Sequence, residues 1–375
     1  MDVTFICTSC RKPFTEEGPP TLCHCGHPLE VRCDWVENPL IADMVHRHIA
    51  SLWRYRSVLP FIHDSYLTTL GEGWTPLNKF GDYQGIKLYF KDETRNPTGS
   101  FKDRGMAMAV SKAREYGIRE VCLPSAGNAG VAAAAFCKEA GIECNVYLPE
   151  TIPSAFVREA EQYHATVRVA GSTFTDAAST MQKEKKDEWF DLSTLKEPFR
   201  VEGKKTLGYE IAEQLGWCFP DVVVYPTGGG TGLIGMWKAF NEMKAVRWVT
   251  GNLPRMVAVQ STGCAPVVKA FVEGVDVCLL WEKSRTIALG LNAPNPIGGS
   301  WMLSLLRESG GTAVMVEEEQ IQSAQEKVAI LSGTDPSPEV AVAWLGFEKL
   351  VENGWIVPRE KVVIPVTGSG RRYAL

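Results

Sequence analysis

The pattern that most limits the fold is an alternation of short apolar stretches with longer amphipathic ones, running from about Gly85 to the C-terminus. GIKLYFKDE (85–93) reads as a strand. FKDRGMAMAVSKAREYG (101–117) reads as a helix with Ser100 as expected N-cap and Asp103 as capping-box partner. VCLP (121–124), CNVYLP (144–149) and TVRVAG (166–171) read as strands, separated by helices in NAGVAAAAFCKEAG (128–141) and SAFVREAEQYH (154–164). The rhythm returns in the helix KTLGYEIAEQLG (205–216), the strand DVVVYP (221–226) and the helix LIGMWKAFNEMK (233–244). It ends with the strand MVAVQS (256–261), the helix APVVKAFVEG (265–274) and the strand KVVIPVTG (361–368). Such alternation predicts an α/β fold, a parallel sheet with helices on both faces. No fixed-period repeat or low-complexity tract interrupts it, and 36–70 reads as a mostly helical lead-in.

At 375 residues the chain is comfortable for two domains. A net charge of -5 argues against a nucleic-acid or membrane-surface partner. No apolar run is long enough to span a membrane, and MDVTFICTSCRKPF lacks the order of a signal peptide, so a cytoplasmic protein is expected. Eleven cysteines then call for buried thiols or metal ligands rather than disulfides. Cys7 and Cys10 form a CxxC, and Cys23 and Cys25 a CxC about a dozen residues on, a spacing that suits four thiolates around a structural zinc. His24, His27 and Cys33 are spare ligands, and the alternative is a ribbon that folds without metal.

Ligands of open α/β folds collect where strands lead into helix N-termini, and three such loops stand out. In NPTGSFKDRG (96–105), Lys102 lies in the first turn of its helix, where the dipole disfavours a positive charge. Partial burial there would depress its pKa and make it nucleophilic, as Schiff-base chemistry requires; otherwise it is a solvated lysine beside Asp103 and Arg104. In SAGNAG (125–130), small residues allow close backbone approach to a ligand, and Asn128 is either the helix N-cap or a ligand contact. In PTGGGTGLIG (226–235), Gly228, Gly229, Gly230, Thr231 and Gly232 with a helix N-terminus form a phosphate cradle. It has no GK[ST] ending, so one phosphate fits better than a nucleotide. Together the loops suggest a cofactor with one phosphate and an aldehyde, pyridoxal phosphate.

NPTGSFKDRG, SAGNAG, the glycine-rich loop and the terminal VTGSG stand in the order of the tryptophan-synthase-β-like, fold type II pyridoxal phosphate enzymes. From about residue 70 onward the chain most resembles the threonine synthases among them, also in EGWTPL (72–77) and VEGKKTLGYEIAEQL (201–215). The resemblance implies two doubly wound α/β domains with the cofactor between them, behind a zinc-ribbon-like head. The expected boundaries are 1–35 for the head, 36–84 with 201–375 for the large domain, and 85–200 for the smaller domain carrying Lys102 and the asparagine loop. It implies Lys102 as the Schiff-base lysine and Asn128 as the partner of the cofactor's phenolic oxygen. It gives Gly228 to Gly232 the phosphate, Thr367 the pyridine nitrogen, and places Phe101 near the ring. Ser125, Ala126, Gly127 and Ala129 would meet the substrate carboxylate; Arg104, Lys91 and Arg158 are candidates for a substrate phosphate. A homodimer is usual for similar enzymes.

Threonine synthase activity, from O-phosphohomoserine and water to threonine and phosphate, is the expected function. Ala126 in place of a hydroxyl residue, the GGGTG loop and the end TGSGRRYAL depart from the usual threonine-synthase pattern. They keep open a threonine or serine dehydratase, a cysteate synthase using O-phosphoserine, a diaminopropionate lyase, or a silent binding paralogue. A zinc-dependent nucleic-acid binder is the remotest alternative.

Overall fold

The structure, a computed structural model, describes residues 3–15, 17–33, 45–60 and 62–373. The chain opens with a small antiparallel sheet of β1 (Val3–Cys7), β2 (Pro13–Phe14) and β3 (Leu29–Cys33), in the order β2-β1-β3. A hairpin of β4 (Leu77–Tyr83) and β5 (Ile86–Asp92) follows. Next come α1 (Lys102–Glu115), β6 (Glu120–Pro124), α2 (Asn128–Ala140), β7 (Glu143–Leu148) and α3 (Ser154–Gln162). β8 (Thr166–Val169), α4 (Phe174–Glu184), β9 (Phe190–Asp191) and α5 (Phe199–Gln214) continue the pattern. β10 (Val222–Pro226), α6 (Thr231–Ala245), β11 (Arg255–Ser261), α7 (Pro266–Val272) and α8 (Gly299–Glu308) then lead to β12 (Thr312–Val316). α9 (Ile321–Ser332), α10 (Pro338–Glu352) and β13 (Lys361–Val366) end the sequence of elements. No helix among the described residues is long and apolar enough to cross a membrane.

By their contacts the residues form two compact units. The first comprises Met1–Gly73, Asn96–Lys204 and Arg372–Leu375; its larger sheet is parallel, in the order β8-β7-β6-β9. The second comprises Trp74–Arg95 and Lys205–Arg371; its sheet runs β12-β11-β10-β13-β5-β4, parallel except for β4. Val dominates β10 to β13 of this second sheet because both faces are covered. In the second unit the core closes on Trp344 of α10, fully buried, with Tyr83, Phe90 and Phe347 packed around its ring.

These divisions differ from those expected. The strand at 85–93 was expected in the smaller domain, but β5 pairs with β13, Phe90 opposite Ile364, in the six-stranded sheet. Residues 45–73 group with the unit that carries Lys102, not with the large domain. Leu52 donates to the Glu72 carbonyl (2.8 Å), and the Thr68 amide donates to Ser111 Oγ on α1 (2.9 Å). The described part of the expected helical lead-in is only two short 3-10 stretches, Leu52–Val58 and Asp64–Tyr66, since non-helical backbone at Tyr55 breaks the first; 36–44 lie outside the described residues.

One helix crossing fixes the first unit around Lys102. A Cβ at Gly203 of α5 would stand 1.9 Å from the Arg104 carbonyl oxygen of α1. One at Gly105 would stand 3.0 Å from Lys204 Cε and 3.1 Å from the Arg200 carbonyl oxygen. Only paired glycines allow backbones this close. Gly203→Ala should therefore cost about 3 kcal/mol through overpacking, read as a lower urea midpoint; an unchanged midpoint would show that the crossing yields.

Candidate active site

The loop before α1 is built around Asp103. The Thr98 amide (2.7 Å) and hydroxyl both donate to its carboxylate, and the Gly99 amide closes the turn on the Asn96 carbonyl (2.7 Å). This corrects the expected capping box. Phe101, in helical conformation, is the N-cap and makes no side-chain cap bond, so the helix starts later than a Ser100 cap requires. The buried Ser100 hydroxyl has no hydrogen-bond partner among the described residues.

Lys102 is the first residue of α1 and partly exposed. Its Nζ lies 4.1 Å from the centroid of the buried Phe101 ring. Lys204, brought in by the glycine crossing, places its own Nζ 4.9 Å from the same centroid. The Phe101 ring thus has two lysine side chains against its face. Lys204 is fully buried, and burial drives its pKa well below the usual lysine range, with Arg200 and Lys102 adding repulsion and Glu197 opposing it. Burial also lowers the pKa of Arg200, whose Nη1 donates to the Leu192 carbonyl (2.7 Å). Burial pushes the Glu197 carboxyl up to about 7, against the pull of Arg200 and the amides of Arg200 and Phe199. Perturbed groups of this kind gather at functional sites, and spacing in the sequence did not mark Lys204, Arg200 or Glu197.

In the asparagine loop, Ser125 is buried and spent on the loop itself. Its Oγ accepts from the amides of Gly127 (3.1 Å) and Gly130 (2.8 Å), and its hydroxyl lies 3.1 Å from the Gly127 carbonyl. It therefore shapes the turn rather than offering a ready hydroxyl to a substrate carboxylate. Gly127, not Asn128, is the N-cap of α2, with φ 129° and ψ -109°, a region closed to other residues. Its missing side chain also makes room for Phe156, whose ring would stand 2.9 Å from a Cβ there. Ala126, Asn128 and Ala129 are half-buried, and Asn128 Oδ1 accepts from Arg372 Nη1 (2.9 Å).

In the second unit β10 runs into the glycine loop and α6. Gly230 is the N-cap at φ 78°, and a Cβ on it would stand 2.1 Å from Met302 Sδ. A Cβ on Gly228 would stand 2.6 Å from the Gly290 carbonyl oxygen. Among the described residues the amides of Gly228, Gly229, Gly230 and Gly232 have no backbone acceptor, and α6 adds its N-terminal dipole. Thr231 opens the helix and is buried. Thr367, just past β13, is buried.

Two of the candidate substrate-phosphate residues are placed elsewhere. Lys91 is fully buried in the second unit and donates to the Thr75 carbonyl (2.6 Å), Glu210 Oε2 (2.7 Å) and Gln214 Oε1 (2.9 Å). These three bonds use all the donors of an ammonium, so Lys91 is a structural cation. Arg158 is exposed on α3 and bonds Ser154 Oγ (2.7 Å). Arg104 is fully buried in the first turn of α1.

The head brings its cysteines together. The sulfurs of Cys7, Cys10, Cys23 and Cys25 all lie within 4.8 Å of one another, with Cys7 and Cys25 3.4 Å apart and Cys10 and Cys23 3.7 Å apart. Four thiols at such distances suit a tetrahedral soft-metal site. His24, His27 and Cys33 are not part of the cluster.

The groups present fit pyridoxal phosphate unit by unit. The first offers an amine in Lys102 and an amide in Asn128; the second offers an anion cradle at Gly228 to Gly232 and a hydroxyl at Thr367. The signals that sequence reading missed are long-range. Glu159 and Arg372 are 213 positions apart yet form a charge pair that reaches Asn128.

Glu72, which opens EGWTPL, is fully buried and accepts from Trp53 Nε1 (2.9 Å), the Leu70 amide (2.8 Å) and Thr69 Oγ1 (3.1 Å). Burial raises its pKa from 4.5 to about 7 despite these donors. A raised carboxyl pKa favours the folded state at low pH; the contribution is full below the unfolded value and is lost as pH rises through the folded one. Stability of the wild type relative to Glu72→Gln should thus fall between pH 4.5 and about 7 and level off above. Urea midpoints across that range would check this, and a constant difference would refute the shift.

The profile of the family described as "Pyridoxal-phosphate dependent enzyme" matches residues 68–368. A threonine synthase of Methanocaldococcus jannaschii is 33% identical over 371 residues, 97% of this chain and 91% of the relative. A threonine synthase of Methanosarcina acetivorans is 35% identical over 96% of this chain and 90% of the relative. Among solved structures, the processed threonine deaminase isoform 2 of Solanum lycopersicum superposes with a TM-score of 0.69 at 20% identity, over 95% of this chain and 94% of that one, a likeness of fold. The chain, with its Lys102 loop, its glycine cradle and relatives of this closeness, belongs to the family of pyridoxal-phosphate dependent enzymes, alongside the threonine synthases.

Proposed function

We infer that the protein is a threonine synthase, converting O-phosphohomoserine and water to threonine and phosphate. The observation that carries this reading is that its likeness to threonine synthases extends over 97% of the chain, at 33% identity. The site supports a phosphorylated substrate. Arg200 and Lys102 stand near buried Lys204 with Glu197 beside them, and cationic side chains suit an anionic substrate better than a neutral hydroxyl one.

Pyridoxal phosphate, when bound, supplies the electron sink that acidifies the substrate's Cα–H. Lys102 is the residue we assign to hold the cofactor's aldehyde carbon. As a free amine, Lys102 would move protons at Cα and Cβ of the substrate. Gly228 to Gly232, with the α6 N-terminus, hold the cofactor phosphate through backbone amides. Thr367 offers a hydroxyl to the ring nitrogen where an aspartate would keep it protonated. The sink is then weaker, which suits elimination and replacement better than transamination. Asn128 would direct its amide to the phenolic oxygen. The head is assigned a structural zinc on Cys7, Cys10, Cys23 and Cys25, and the enzyme is read as a cytoplasmic homodimer.

With O-phosphohomoserine the purified protein should release phosphate and threonine in equal amounts, and Lys102→Ala should lower the rate by about 10³-fold or more. Phosphate from O-phosphoserine alone, or ammonia from threonine or serine, would move the function to one of the alternative eliminations. Metal analysis should find zinc that Cys23→Ser loses, while the visible band of the bound cofactor stays; an unchanged zinc content would remove the thiolate assignment.

A further inference from the structure

Arg372 is a buried charge outside the residues assigned to the cofactor and substrate. It is 1% exposed and lies beyond the last strand, in a short C-terminal stretch that groups with the first unit. Its guanidinium makes four hydrogen bonds there. Nε donates to Glu159 Oε2 (2.6 Å) and Nη2 to Glu159 Oε1, a bidentate pair on α3. Nη2 also donates to the Thr98 carbonyl, in the turn before Lys102, and Nη1 donates to Asn128 Oδ1 (2.9 Å). Phe156 packs beneath, its ring centroid 5.9 Å from the guanidinium carbon, with Tyr373 edge-on to the same ring.

The chemistry of the contact decides how Asn128 is oriented. A guanidinium has five N–H donors and no acceptor, so the atom facing it must be the amide oxygen, and the NH2 group must point away. A side-chain amide held only by packing could be turned either way. Burying a guanidinium is tolerated only with a partner, and Glu159 supplies one in a geometry that also fixes the plane of the fork. The Thr98 bond ties the same fork to the loop that sets Lys102.

We propose that Arg372, braced by Glu159, is a positioning residue that locks the Asn128 amide so that its NH2 group is the face presented to the cofactor's phenolic oxygen. This rests on the assignment of Asn128 to that oxygen. A donor there favours the anionic form of the oxygen, so the lock is read in the spectrum of the bound cofactor as well as in its affinity.

The test is a double-mutant cycle on apo-protein titrated with pyridoxal phosphate, following the visible band and the dissociation constant. The variants are Asn128→Ala, Arg372→Met and both together. A second set, Glu159→Met with Arg372→Met, removes the pair without leaving a buried lone charge, should Arg372→Met alone unfold. Each single change is expected to weaken cofactor binding about tenfold, the size of one hydrogen bond, and to move intensity from the visible band toward the near-ultraviolet. The combined Asn128/Arg372 variant should match Asn128→Ala, because Arg372 acts through that side chain. Arg372→Lys, which keeps a donor, should restore part of the visible band. Wild-type band and affinity in Arg372→Met and in the charge-free pair, or effects that add in full, would overturn the proposal. A wild-type band in Asn128→Ala would instead overturn the assignment of Asn128, and the proposal with it.

Discussion

The candidate site in the first unit depends on one close backbone approach, that of α1 and α5 at Gly105 and Gly203. Without side chains at these two positions, Lys204 can lie along α1 and reach the ring of Phe101, which already carries Lys102. The crossing therefore does two things: it buries a cluster of cations, and it makes their neighbour the first-turn lysine. Neither helix would choose this on propensity, since glycine inside a helix costs about 1 kcal/mol relative to alanine. The cost is offset by packing and is consistent with a site for which geometry matters more than local stability.

Buried charges in this protein fall into two kinds. Lys91 with Glu210 and Gln214, and Lys205 with Glu242, satisfy one another and hold elements together. Arg372 with Glu159 is paired as well, and the pair also reaches a neutral side chain, Asn128. At Lys204, Arg200 and Lys102 add repulsion that Glu197 opposes, and burial keeps the lysine's pKa low. This difference separates the paired ions from the surroundings of Lys102 and Lys204.

Much of the fold was legible because strands buried on both faces read as apolar runs between amphipathic helices. The strand at 312–316 and the helices at 299–308, 321–332 and 338–352 were not in that reading. The last of them, PEVAVAWLGFEKLVE, is buried over most of its surface, so it lacks a polar face to set a helical period. Lys102, Asn128 and the glycine loop were visible as local motifs, and the four cysteines of the head do converge. Nothing in a local window shows that the polar atoms of Ser125 and Lys91 are already engaged within the protein. Arg372, Lys204 and Glu197 escaped for the same reason, since their partners are distant in sequence or announced by no motif.

The central claim is that Lys102, and not the buried amine beside it, carries the cofactor. Reduction of the cofactor-loaded protein with borohydride would fix the bond in place, and peptide mass mapping would locate it. Addition of a phosphopyridoxyl group to Lys102, with Lys204 unmodified, is the expected result. Modification of Lys204, or of no lysine in either helix, would contradict it.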